Sequence, residues 1–146
     1  MLEKFVVKLL APELNVEFSE KDQTHFNEQL NLIVIGKDFN SDGEEFLAHI
    51  ERAHFYEKVG SFSLRFWTLL HEIGHYMTCS ISEDEIESYT DYMLYHINSE
   101  NKTYFDKPRE WLATDWAVGY VVAHPVLSYL FNKFVEKNSN RVVRVK

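Results

Sequence analysis

Apolar side chains recur along this chain with two periods, and the period decides which element a stretch can form. "LNVEF", Leu14 to Phe18, alternates apolar and polar positions as a half-buried strand does. "NLIVIG", Asn31 to Gly36, carries four apolar residues, three of them β-branched, and reads as a strand lying against the core. Before both, Glu3 to Leu10 is a short helical start stopped by Pro12. From Phe66 onward the period lengthens. Phe66, Leu69, Leu70, Ile73 and Met77 repeat at helical spacing and predict a buried stripe.

Two Ser-x-x-Glu capping boxes, Ser41 with Glu44 and Ser82 with Glu85, each open a further helix. The first runs to about Lys58, with Gly60 placed to end it. The second turns Ile86, Tyr89, Met93 and Ile97 toward the core, and "NSENKT" after it is a loop. Asp106 and Pro108 mark the start of another helix that runs to about Val122, and Pro125 restarts or kinks it. "NRVVRVK" closes the chain as a basic tail or edge strand. The expected class is α+β, with a small, mainly antiparallel sheet packed on helices.

Composition changes this picture only in detail. A chain of 146 residues, 45% hydrophobic and 15% aromatic, forms one domain, residues 1–146, with a core of its own. The net charge of −8, with no stripe of Lys or Arg, repels a phosphate backbone and argues against a direct nucleic-acid partner. The acidic run Glu83 to Glu87 reads as a solvated helix face. Cys79 is the only cysteine, so no internal disulfide can form. No apolar run reaches the length of a signal sequence or the ~20 residues of a membrane span, so a cytoplasmic location and no membrane partner are expected. Cys79 reads as core packing rather than a nucleophile, and His49 and His54, five apart, fall on different helix faces as packing or solvated residues.

The candidate chemistry lies in "HEIGH", His71 to His75. Histidines four apart on a helix sit one above the other and can aim both imidazoles at one point, as a tetrahedral Zn²⁺ requires. Glu72, about 100° round the helix, can reach a water beside such an ion and take its proton as the water attacks a carbonyl. A third ligand is then needed, and the helix that brings it must pack closely and so present small residues. Glu110, Ala113, Thr114 and Ala117 form such a face, and Gly74, between the histidines, admits backbone to backbone. Trp111, Leu112 and Trp116 lie on the remaining faces and anchor the helix elsewhere. Other acids are accounted for differently. Glu83, Asp84, Glu85 and Glu87 serve the start of a capped helix, Asp106 caps the next, and Asp115 lies about 140° round from Glu110. Tyr76, Tyr120 and His124 are candidate donors to an oxyanion, with packing or solvation the nearer reading for each.

"RFWTLLHEIGH" followed by "EWLATDWA" resembles the ImmA/IrrE-type metallopeptidases, zincins whose pattern is an Arg-Phe lead-in, His-Glu-x-Gly-His and a later Glu-x-x-Ala-x-x-Phe-Ala. Arg65 and Phe66 match the lead-in, His71, Glu72, Gly74 and His75 the zinc motif, and Glu110, Ala113 and Ala117 the last motif, with Trp116 for the aromatic residue. The match covers roughly Ser63 to Pro125. The resemblance implies a compact zincin-like fold, zinc held by His71, His75 and Glu110, and Glu72 as general base. It also implies a peptidase acting on a cytoplasmic protein or peptide, with a repressor in a prophage or mobile element as a candidate substrate. Leu32 to Gly36 would resemble the strand edge along which zincins lay their substrate. Where the family has Asn or Asp four residues after the ligand glutamate, this chain has Thr114, with Asp115 next. The alternative reading is a metal-stabilised binding or regulatory module without turnover.

Overall fold

The computed structural model describes residues 2–36, 62–82, 84–86, 108–136 and 142–143. Helix α1 spans Leu2–Leu10 and leads into strand β1, Asn15–Phe18. Strands β2, His25–Asn27, and β3, Leu32–Ile35, follow. A short strand β4, Phe62–Ser63, enters helix α2, Leu64–Thr78. Helices α3, Pro108–Ala123, and α4, Pro125–Glu136, are separated by His124 alone, and strand β5 is Val142–Val143. The class is α+β, as the sequence predicts.

The sheet departs from expectation. Its order is β1-β3-β2, with β1 parallel to β3 and β2 antiparallel to β3, so it is mixed rather than mainly antiparallel. Parallel neighbours need a crossover. Here β2 lies within it, turning back onto β3 through a tight bend in which Leu30 N–H donates to Asn27 Oδ1 at 3.2 Å and Asn31 takes a φ of 46°. An asparagine tolerates that left-handed conformation better than most residues do. β3 is therefore the central strand, buried along its whole length, and not the free edge expected of Leu32 to Gly36. The edges are β1 and β2. A second pairing joins β4 to β5 in antiparallel register, so the basic C-terminal segment does contribute a strand.

One apolar core unites these layers. Val6 and Val7 of α1, Val16, Ile33 and Ile35 of the sheet, Phe66, Trp67, Leu69, Leu70 and Ile73 of α2, and Trp111, Ala117, Val118 and Val121 of α3 all belong to it. The predicted stripe on α2 is buried except at its end, where Met77 is 39% exposed. Met77 stands in the last turn, beyond the packed part of the helix. α4 buries Ser128, Phe131 and Asn132 while Val126, Leu127, Tyr129 and Leu130 stay exposed. Among the described residues no helix is long and apolar enough to cross a membrane.

Only the start of the helix predicted from Ser82 is described. Glu85 N–H donates to Ser82 Oγ at 3.3 Å, the serine half of the capping box, and Ile86 is buried as expected. The predicted helix from Ser41 with His49 and His54, the stripe through Tyr89, Met93 and Ile97, the "NSENKT" loop and Asp106 lie outside the described residues.

Candidate metal centre

α2 starts where it does because Ser63, in extended conformation, accepts the Phe66 N–H on its hydroxyl at 3.1 Å. The Ser63 N–H in turn donates to the buried Asn132 Oδ1 at 2.9 Å, which ties the start of the helix to α4. One residue into the helix, Arg65 forms a buried ion pair with Glu3 of α1. The helix carrying the histidines is thus held at its head by two separate elements.

Its middle is held by α3. His71 meets Thr114 and His75 meets Glu110, so the two helices run antiparallel. Glu110, Ala113, Thr114 and Ala117 are all buried, as the small-residue face predicts. The approach is as close as backbones allow, because a Cβ added to Gly74 would stand 2.3 Å from the Ala113 carbonyl oxygen. Trp111, also predicted to point elsewhere, fills the core on an adjacent face of α3.

This packing brings four polar side chains together. Glu110 Oε1 lies 3.3 Å from His71 Nε2 and Glu110 Oε2 lies 2.8 Å from His75 Nε2. The imidazole rings stand 4.7 Å apart and nearly perpendicular. Glu72 is buried beside them, and ligand atoms of His71, Glu72 and His75 all lie within 4.8 Å of one another. His71 is closed off from solvent and His75 is the more open, with 19% of its side chain exposed. The approach from outside is therefore past His75.

The charges respond to this arrangement. Burial lowers the His71 pKa and the neighbouring His75 adds to that, outweighing the hydrogen bond to Glu110. At His75 burial also works downward, but the hydrogen bond to Glu110 and the charges of Glu72 and Glu110 overcome it and raise the pKa. A proton shared by the pair thus belongs on His75. Burial would raise Glu110, yet hydrogen bonds from both histidines and their charge hold its carboxyl down at about 2. Glu110 is an anion held between two imidazole nitrogens, and His75 is the histidine that holds a proton more readily.

Two imidazoles and a carboxylate are donor types that can hold a tetrahedral zinc ion. Bonds of ~2.0–2.2 Å place neighbouring ligand atoms roughly 3.3 Å apart. Glu110 offers a different oxygen to each histidine, Oε1 at 3.3 Å from His71 Nε2 and Oε2 at 2.8 Å from His75 Nε2, so holding an ion through one oxygen would need the carboxylate to turn. His71 also has the outer partner that a metal-binding imidazole requires, Thr114 Oγ1 at 2.8 Å from Nδ1. Compared with protein-family models, with curated proteins and with solved structures, the chain has no match. The geometry of the site therefore stands without support from relatives.

The candidate oxyanion donors do not gather here. Tyr120 and His124 lie ten and fourteen residues beyond Glu110, about 15 Å and 21 Å along the helix axis, and stack in a row with Trp116. Tyr76 directs its hydroxyl to Glu13 Oε2 at 3.0 Å and packs its ring edge-on against Phe26 of β2. Cys79 is half-buried at the end of α2, its Sγ 3.1 Å from the Tyr76 carbonyl. Asp115 is exposed on α3, while Thr114 is fully buried and touches the site. The Glu3 and Asn132 contacts escape sequence reasoning, because nothing local in "LEKF" or "LFNKF" marks a partner some sixty residues away.

Proposed function

We infer that the chain is a zinc-dependent peptidase of the ImmA/IrrE type, cutting a peptide bond in a protein or peptide. One observation carries this reading: His71 Nε2 and His75 Nε2 converge on the two oxygens of a single buried carboxylate, Glu110, while Glu72 sits beside them. Two imidazoles and one carboxylate form a zinc site that leaves a position open for chemistry. A bound zinc ion would supply Lewis acidity, polarising a carbonyl and acidifying water.

The protein's own residues would do the rest. His71, His75 and Glu110 would hold the ion. Glu72, on the same helix but turned from the histidine face, takes the proton of the attacking water and delivers it to the departing amine. Its burial keeps that carboxylate from being screened by bulk solvent. The resemblance supports a cytoplasmic setting and a regulatory protein, such as a prophage repressor, as the substrate.

The test begins with metal analysis of protein purified without added zinc, where close to one zinc per chain is expected. An unstructured protein such as casein should be cleaved, and a chelator should stop the cleavage. Absence of zinc would overturn the reading. Zinc without cleavage of any polypeptide offered would favour a metal-stabilised module instead.

A further inference from the structure

The outer side of α3 and α4 carries a pattern that the metal centre does not use. Gly119, Val122, Val126 and Tyr129 follow one another at intervals of three, four and three residues, and all are exposed, Val126 at 71%. That is the repeat of a helix seam that meets another helix. The break at His124 keeps the two sides of the helices in place. On the inner side Thr114, Ala117, Val121, Ser128 and Phe131 hold the same repeat across it, all buried. Gly119 stands in the middle of an exposed helix, where glycine is less stabilising than alanine. A Cβ added there would meet nothing within 4 Å among the described residues, in contrast to Gly74. The space beside it is open to a side chain from outside.

We propose that two copies of the chain associate through this seam, antiparallel about a two-fold axis at position 124. A two-fold interface must be complementary to itself. In this register Gly119 lies opposite Tyr129, Val122 opposite Val126 and the exposed Asp115 opposite the exposed Lys133, each pair occurring twice. The open glycine receives the largest side chain, valine meets valine, and acid meets base at both ends. Lys133 Nζ already lies 5.3 Å from the centre of its own Tyr129 ring, so the two side chains enter the interface together. A parallel pairing would instead oppose like charges and leave glycine facing glycine. Gly119 is about 180° round α3 from Glu110, so the pairing uses none of the metal-centre residues and holds whether or not zinc binds.

Sedimentation equilibrium of the full chain over a range of concentrations measures the association. Wild type should approach twice the chain mass of 17.3 kDa as concentration rises. Val126→Glu sets a charge against the partner's valine at two places and should raise the dissociation constant by roughly thirtyfold or more. Gly119→Leu fills the space for Tyr129 and should weaken association in the same sense. Asp115→Lys alone brings like charges together and should weaken it, while Asp115→Lys with Lys133→Asp should restore it. A wild type that stays at the mass of one chain overturns the proposal, also where a different protein is found to bind the face. A dimer indifferent to Val126→Glu and Gly119→Leu is held elsewhere and overturns it too, and failure of the charge exchange to recover association overturns the antiparallel pairing. Should Val126→Glu not fold, Gly119→Leu and Tyr129→Ala decide alone.

Discussion

Glu72 and Glu110 are both buried glutamates within reach of the same two histidines, and they are separated by role rather than by type. Glu110 touches both Nε2 atoms, and Glu72 follows His71 on the helix, about 100° round. Glu72→Gln should keep its fold and its zinc and lose hydrolysis, as checked by metal content and a cleavage assay on one preparation. Loss of zinc in that variant would reverse the assignment. Glu110→Ala should lose most of its zinc, because two imidazoles alone hold the ion weakly. Asp115→Ala should keep its zinc, since Asp115 is exposed and it is Thr114 that meets His71. Chelator competition on the two alanine variants separates them.

At the level of elements, the site exists because α2 and α3 touch backbone to backbone at Gly74 and Ala113. In an exposed helix, Gly→Ala stabilises by up to about 1 kcal/mol. Here the added methyl group would collide with a carbonyl that cannot move aside, so the sign should reverse. Gly74→Ala, like Ala113→Leu, should cost ~1–3 kcal/mol and weaken zinc by prising the ligand helix away. Denaturant titration and zinc competition measure both effects. The Glu3–Arg65 pair fixes α1 to the head of α2 and is nearly closed to water. Removing one partner, as in Arg65→Met, should cost roughly 3–5 kcal/mol because a buried charge is stranded. The double variant Glu3→Leu with Arg65→Met should recover most of this, and a double-mutant cycle reads the coupling.

For the whole molecule, zinc would bridge two helices that are far apart in sequence, so binding and folding are linked. At a hundredfold excess over its dissociation constant the ion should add about 2.7 kcal/mol, a rise in Tm on the order of 10 °C for a chain of this size. Thermal melts with zinc and with chelator check this, and Glu110→Ala should show no such difference. A wild-type Tm indifferent to zinc would remove the metal from the account.

The sequence by itself determined what local spacing can encode. Histidines one turn apart, the serine cap at Ser82, the proline at the head of α3 and the narrow face of Glu110, Ala113, Thr114 and Ala117 are all written in neighbouring residues, and the structure brings the last set onto the histidines. Only the tertiary structure decided the rest. β2 is three residues long, too short to show a period, and without it β3 reads as an edge and the sheet as antiparallel. The hydrogen bond between Thr114 and His71, the tie of Asn132 to Ser63 and the pairing of Glu3 with Arg65 join residues distant along the chain. Periodicity reports which face of an element avoids water; it carries no information on which other element will cover that face, because that choice is made by shape and charge after the chain has folded back on itself.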